Sequence, residues 1–509
     1  MIKNPIIKGF YPDPSIIRVD NDFYIVNSSF EYFPAIPIWH TKDFTHIKQI
    51  GHAISRKDQG LDLSDVHPSG GVQAATLRYH QGIYYIVSTV ITSKWPAYDK
   101  HFIVYAQDPK GPWSKVHYIQ NAEGIDASLF FDDDGTCYFL ANRQIQGQED
   151  GNKTEIWISK FNIQTFQLEG KKYPLWQGTG GAFPEGPHVY KKDGMYYLLI
   201  AEGGTLHHHA VTVAFSKDVL GPYHGSRRNP ILTHRHLNRT YPIQNVGHAD
   251  LVELKDGSWL GVCLGSQPRG GFYDGYNIKY SFGGYYRNLG RETFMFPLSW
   301  PNDGEGPIIS GETGKIECEY DMKFESFPQK DQQIDLTPEG IHTKWITIKE
   351  RKENHIKLFD NKMTIFLQET MEASFIGFRQ TSWQTQTSFI VNTNNNLLED
   401  DYLSILAWIS MSSYIGLEIT NTAISWIKCY QNTKEILKTI NYEKETLYVS
   451  ILSDDQDYVF QIEDTKMTID GKIISPDLND EHTGVMFGFS GFSKKQSSIL
   501  VSEFQHKST

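Results

Sequence analysis

Through its first three hundred residues the chain alternates short apolar runs with clusters of Gly, Asn, Asp and Pro, and no long apolar stripe at helical spacing stands out. One motif recurs: NDFYIV from Asn21, GIYYIV from Gly82, GTCYFL from Gly135, GMYYLL from Gly194 and GSWLGV from Gly257. Each opens on a residue that tolerates the turn dihedrals strand formers avoid, then enters a β-forming run, as a tight hairpin does. The starts are 61, 53, 59 and 63 residues apart. Each interval can hold a four-stranded sheet, so the five together predict a five-bladed β-propeller. A β-sandwich would not repeat its turns at so even a period.

The pattern shifts after LSWPNDGEGPIISGETGK: Gly and Pro thin out, and alternating runs such as KWITIKER, KMTIFLQ, ASFIGFRQ, LYVSILS and SILVSEF follow without a new repeat. The expected fold class is therefore all-β, a five-bladed β-propeller over 1–310 followed by a β-sandwich of jelly-roll type over 318–509. The Pro/Gly-rich stretch Pro301 to Gly314 reads as the linker and Asn394 to Asn396 as a loop tip.

The repeat also places chemistry. Eight or nine residues before each turn stand Asp13 in YPDPSI, Asp126 in GIDASL, Glu185 in FPEGPHV and His248 in VGHADL, with Gln73 or Ala74 of GVQAATL in the second repeat. Equivalent positions on the innermost strands of a propeller face its channel, so these side chains are expected to converge. Asp126 is thereby set apart from Asp132, Asp133 and Asp134, which read as a solvated turn.

Three carboxylates without cysteine ligands suit either a hard cation or acid/base chemistry on a sugar. Glu185, among Phe183, Pro184, Gly186 and Pro187, has the apolar surroundings that keep a general acid protonated. Asp13, two blades away, is placed to hold a water as general base, with Asp126 between them. Carboxylates across a channel suit the ~6.5–9.5 Å spacing of inverting glycosidases better than the ~5–5.5 Å of retaining ones.

Charge and cysteine usage narrow the partners. A net charge of −12 argues against nucleic acid or an anionic membrane. No run of eighteen apolar residues occurs, and MIKNPIIKGFYPDP has no apolar signal region, so neither membrane spanning nor secretion is indicated. Four distant cysteines, Cys137, Cys263, Cys318 and Cys429, fit reduced thiols, and a cytoplasmic location is expected.

NPIIKGFYPDPSI, SSFEYFPAIPIWHTKDF, GIDASLFFDDDG, EGPHVY with YYLLIAEGGT, NVGHADLV and LGRETF together resemble glycoside hydrolase family 43, in its two-domain β-xylosidase and α-L-arabinofuranosidase group, over essentially the first 310 residues. The resemblance implies Asp13 as general base, Glu185 as general acid and Asp126 as the residue that tunes and orients the acid. It adds Arg291 as a sugar-contacting guanidinium and His248 beneath the substrate. It implies no required cofactor and admits a structural calcium held through waters at His248. A sandwich that walls the pocket, exo action on oligosaccharides and a homo-oligomer such as a tetramer follow from the same resemblance. The second repeat, Gly71-Val72-Gln73-Ala74-Ala75-Thr76, lacks the aromatic and Pro-Asp pair of similar β-xylosidases, which points to the arabinofuranosidase branch. The expected enzyme is an exo-acting inverting hydrolase of terminal α-L-arabinofuranosyl residues, with β-D-xylosidase activity as the alternative.

Two rival classes have distinct signatures. A lectin propeller repeats its binding residues in every blade, whereas here the equivalent positions differ. An endo-arabinanase would use the same acids in an open groove. Phe30, Tyr32, Phe33, Trp95 and the pair Tyr286-Arg287 are candidates for sugar stacking, although most such aromatics pack between blades. His207-His208-His209 reads as a solvated or rim segment rather than a metal tract.

Overall fold

The computed structural model describes residues 1–508 apart from 93–99, 146, 148–152, 239, 271–285, 312, 353 and 394–395. Trp95, Asn394 and Asn395 therefore lie outside the described residues.

Five antiparallel sheets follow one another along the chain. Blade 1 runs Ser15–Val19, Asp22–Val26, Ala35–Thr41 and Lys48–Ile54. Blade 2 runs Gly71–His80, Ile83–Ile91, Lys100–Ala106 and His117–Tyr118. Blade 3 runs Ser128–Phe131, Cys137–Gln144, Thr154–Asn162 and Gln167–Trp176. Blade 4 runs Glu185–Lys192, Met195–Glu202, Ala210–Ser216 and His224–Gly225, with Leu232–Thr233 added beside its third strand. Blade 5 runs Gln244–Glu253, Trp259–Ser266, Glu292–Ser299 and Ile308–Ile309. The first strands of successive blades touch all the way round, and that of blade 5 returns to that of blade 1. The ring is a five-bladed propeller, in which the innermost strand of each blade keeps a short inner edge that is protected within the channel.

The hairpin turns that set the period have the backbone their residues suggest. Gln81 and Gly82 adopt φ of 50° and 83°, and Asp193 and Gly194 adopt 51° and 77°, the left-handed pairs that match strand twist. The aspartate triplet departs from the expected solvated turn. Asp133 and Asp134 are exposed, but Asp132 accepts from Lys191 Nζ and Tyr196 Oη of the next blade, both at 2.7 Å, and so latches blade 3 to blade 4.

The Pro301 to Gly314 stretch also departs from its reading as a linker, because Ile308–Ile309 pairs with Glu292–Ser299 as the outermost strand of blade 5. The crossing is made further on, after Glu319–Tyr320 pairs with Ile2–Lys3. There Phe324 packs on Phe23 and Phe44, the Phe327 N–H donates to Asp43 at 2.8 Å, and Gln329 Nε2 donates to the His40 carbonyl at 2.9 Å. The passage is laid along blade 1 rather than spanning solvent.

Beyond it lie an eight-stranded and a seven-stranded sheet that share one apolar core. Trp426 of one sheet donates its Nε1–H to the Phe460 carbonyl of the other at 2.9 Å. Tyr32–Phe33, leaving blade 1, pairs with Trp345–Ile348 as the last strand of the eight-stranded sheet. Both aromatics are buried in this junction, which removes them from the stacking candidates.

Candidate active site

One backbone feature marks the channel end of every blade. Asp13, Ala74, Asp126, Gly186 and His248 have φ of 51°, 48°, 59°, 59° and 51°. Left-handed backbone costs a non-glycine residue roughly 1–3 kcal/mol and persists where the surroundings over-determine it. In blades 2, 4 and 5 it coincides with a break in strand register, between Gln73 and Thr76, Glu185 and His188, and Gly247 and Asp250. Such bulges re-aim side chains. In blade 4 the left-handed residue is Gly186, so Glu185 stands one position ahead of the phase shared by the others. A Cβ on Gly186 would come within 3.0 Å of the His248 ring, which is why this position has no side chain.

Asp13, Gln73, Asp126, Glu185, His248 and Arg291 all line one cavity of about 250 Å³. Phe30 does not: it is 1% exposed and lies 5.4 Å behind the Arg291 guanidinium, which it supports from below. Arg291 donates to Thr205 Oγ1 at 2.9 Å and to the His482 carbonyl at 3.3 Å, and reaches Asp13 at 3.4 Å. Its neighbour Glu292 points to the opposite face of the strand and accepts from the Gly9 N–H at 3.0 Å.

The three acids hold their protons differently. Burial pushes Asp13 up, but Arg291, His248 at 4.0 Å and the Ser28 hydroxyl at 2.5 Å outweigh it, so the carboxyl titrates below its ordinary value. Ser28 Oγ in turn accepts from the Ala74 N–H at 2.7 Å, which ties the left-handed turn of blade 2 to the acid of blade 1. Burial, joined by the charge of Asp13, raises Asp126 to about 6 against His248, Arg291 and the Gly186 N–H that it accepts at 2.9 Å. Burial first, then the charges of Asp126 and Asp13, raise Glu185 well above the usual carboxylate range, and Arg291 opposes them without prevailing. The cavity thus joins an acid held below its ordinary pKa to one held well above it.

The lining also includes residues that sequence reasoning did not place in the site, among them Phe183, Thr205, His209 and His482. His209, within the histidine tract, is buried and donates Nδ1–H to the Asn245 carbonyl at 3.0 Å, and burial lowers it to about 3, leaving it neutral. His482 comes from the C-terminal third, just after the short helix Pro476–Asn479. Its N–H donates to Ser69 Oγ at 2.8 Å, and Ser69 Oγ donates to Glu481. Asp477 of that helix pairs with Arg287 of the propeller at 2.8 Å, with both side chains buried. Tyr286 is also buried, so the pair Tyr286-Arg287 docks this segment rather than stacking on a ligand.

Below His248 the channel is filled by Arg78, whose guanidinium meets the Asp250 carboxylate at 2.9 and 3.3 Å. Among the described residues no three His, Cys, Asp or Glu side chains are grouped to hold a metal. Beneath His248 the Asp250 carboxylate is already paired with the Arg78 guanidinium, and Asp13 lies 4.0 Å from the imidazole.

Residues 2–305 match the sequence pattern of Glycosyl hydrolases family 43. The chain is 41% identical to a "Xylosidase/arabinosidase" of Butyrivibrio fibrisolvens over 74% of this chain and 72% of that protein. It is 32% identical to "Non-reducing end alpha-L-arabinofuranosidase BoGH43B" of Bacteroides ovatus over 99% of this chain and 93% of that one. Among solved structures it resembles a xylan β-1,4-xylosidase from Bacillus halodurans C-125 with a TM-score of 0.88 and 26% identity, covering 100% of both chains.

The Gly186 contact is testable by stability. Gly194→Ala, at φ 77° with open space around it, should cost about 1–2 kcal/mol. Gly186→Ala should cost a further ~1–3 kcal/mol in urea unfolding, because its methyl meets His248. Equal losses in the two variants would contradict the close approach.

Proposed function

The chain belongs to glycosyl hydrolase family 43 and is a glycosidase, and from that premise we propose that it is an exo-acting, inverting enzyme that releases terminal α-L-arabinofuranosyl residues from arabino- or arabinoxylo-oligosaccharides. The reading rests on the cavity that brings together Asp13, whose neighbours lower its pKa, and Glu185, whose burial and acidic neighbours raise its own. In this reading Glu185 donates its proton to the glycosidic oxygen as the bond to the anomeric carbon breaks. Asp13 takes a proton from a water that attacks that carbon from the opposite face. Asp126, hydrogen-bonded to the Gly186 N–H beside the acid, orients Glu185 and raises its proton affinity by charge. Arg291 and the neutral imidazoles of His209 and His482 supply hydrogen bonds to sugar hydroxyls.

Exo action is supported by size and closure. A cavity of about 250 Å³ is smaller than the ~300–1,000 Å³ of pockets that hold drug-sized ligands, which suits one sugar residue rather than a chain. One wall is His482, so the C-terminal third closes the pocket. We read that third as a β-sandwich of jelly-roll type over 318–509, docked on a catalytic propeller over 1–310, on the strength of its two sheets around one core.

The furanosyl preference rests on the second-blade wall, where Gln73 lines the cavity and donates to the Ser69 carbonyl at 3.0 Å, beside a methyl at Ala74. The arabinofuranosidase of Bacteroides ovatus, aligned over nearly the whole chain, favours it. A relative in Bacillus subtilis named "Beta-xylosidase" favours the second reading, β-D-xylosidase activity, while the Butyrivibrio fibrisolvens relative is named for both.

Side-by-side kcat/KM on 4-nitrophenyl α-L-arabinofuranoside and β-D-xylopyranoside tests the choice, with ¹H NMR of the first sugar released. The furanoside should be preferred and the product should have the anomeric configuration opposite to the substrate. Xyloside preference would transfer the assignment to β-xylosidase, and retained configuration would remove the inverting mechanism.

Glu185→Ala should lose roughly 10²–10⁴-fold in kcat/KM on unactivated oligosaccharides and much less on aryl glycosides, whose leaving groups need little protonation. Because burial and the charges of Asp126 and Asp13 raise the Glu185 pKa, the alkaline fall of the parent activity should lie above the ordinary carboxylate range, as the acid loses its proton. The alkaline fall should vanish in Glu185→Ala on the aryl substrate. Equal losses on both substrates would exclude Glu185 as the acid.

A further inference from the structure

Arg78 lies on the innermost strand of blade 2, four residues beyond Ala74, and its hydrogen bonds reach all four other blades. Nε donates to the Leu129 carbonyl of blade 3 at 3.2 Å. Nη1 donates to Ser15 Oγ of blade 1 at 3.3 Å and to Asp250 of blade 5 at 2.9 Å. Nη2 donates to His188 Nδ1 of blade 4 at 2.9 Å and to Asp250 again at 3.3 Å. Asp250, with a side chain 1% exposed, extends the junction by accepting from Ser15 Oγ and Tyr190 Oη, each at 2.6 Å, and from the Ile16 N–H at 3.1 Å.

The partners sit in a fixed relation to the cavity. Ser15 is two residues after Asp13, Leu129 three after Asp126, His188 three after Glu185 and Asp250 two after His248. Every strand that brings an acid or His248 to the cavity is thus held, one step below it, by the same planar guanidinium or its carboxylate. Arginine suits the place because its five N–H donors project in one fixed fork, whereas a lysine ammonium is a point charge on a flexible stem.

We propose that Arg78 is a positioning residue, a side-chain cation on the propeller axis that sets the separation of Asp13, Asp126 and Glu185 by joining the five innermost strands. It touches no sugar. The catalytic consequence rests on the function proposed above, while the joining of the strands does not.

Arg78→Lys and Ser15→Ala test it in the full chain. Lysine keeps the charge that Asp250 needs and loses the fork, and Ser15→Ala removes one neutral arm. Arg78→Lys should fold, keep KM close to the parent value and lose roughly 10²-fold in kcat, the size expected for reacting groups displaced by about 1 Å. Ser15→Ala should move kcat the same way by less. Hydrogen–deuterium exchange should quicken at the starts of all five innermost strands in Arg78→Lys. Exchange confined to blade 2, or a kcat close to that of the parent in both variants, would overturn the proposal. A parent chain that cleaves neither glycoside would defeat the functional reading alone, and the exchange pattern would still decide the role of Arg78.

Discussion

Three carboxyl groups from three blades share one small, poorly solvated cavity, and they cannot all ionise there. Burial disfavours every charge, and only Asp13 has enough compensation, from Arg291, His248 and Ser28, to stay ionised below its usual pKa. That charge, with the partial charge of Asp126, drives the proton onto Glu185, the acid least compensated by neighbours. The division of labour between acid and base is therefore a property of placement, since the side chains are chemically alike. It depends on Arg291 being held where it reaches Asp13, by Phe30 beneath, Thr205 beside it and the His482 carbonyl above.

Placement of this kind needs a rigid ring. The four left-handed non-glycine residues, Asp13, Ala74, Asp126 and His248, store strain at the channel mouth, and the polar junction around Arg78 and Asp250 lies within four residues of them along the chain. The C-terminal third then contributes His482 to the cavity wall through the segment anchored by Asp477 to Arg287 and by Glu481 to Ser69. Tyr32–Phe33, spent on the eight-stranded sheet, fixes the other side of blade 1. Propeller and second unit are thus joined at two places, one of which brings His482 to the cavity.

Much of this was legible because a propeller repeats. Period and turn chemistry disclosed five blades, and the position of Asp13, Asp126 and His248 ahead of each turn disclosed the cavity. Glu185 is disclosed by the same count, nine residues ahead of its turn like Asp126 and His248, although the left-handed backbone of its blade falls on Gly186. What escaped were contacts made across long sequence separations. Nothing near His482 says that it faces Arg291, nothing in LRYH says that Arg78 reaches four other blades, and Phe30 looks like a stacking platform until its burial is known. Pro301 to Gly314 misled for a different reason: turn-rich composition marks bends, and here the bends return the chain to form one more strand.

The most direct test of the account is infrared difference spectroscopy of the carboxyl region near pH 7, comparing the parent protein with Glu185→Gln and Asp13→Asn. The account predicts that Glu185→Gln removes the C=O stretch of a protonated acid, and that Asp13→Asn removes only a carboxylate band. A carboxylate band lost from Glu185→Gln at that pH would mean that Glu185 is ionised at rest, and the sorting of protons by placement would be wrong.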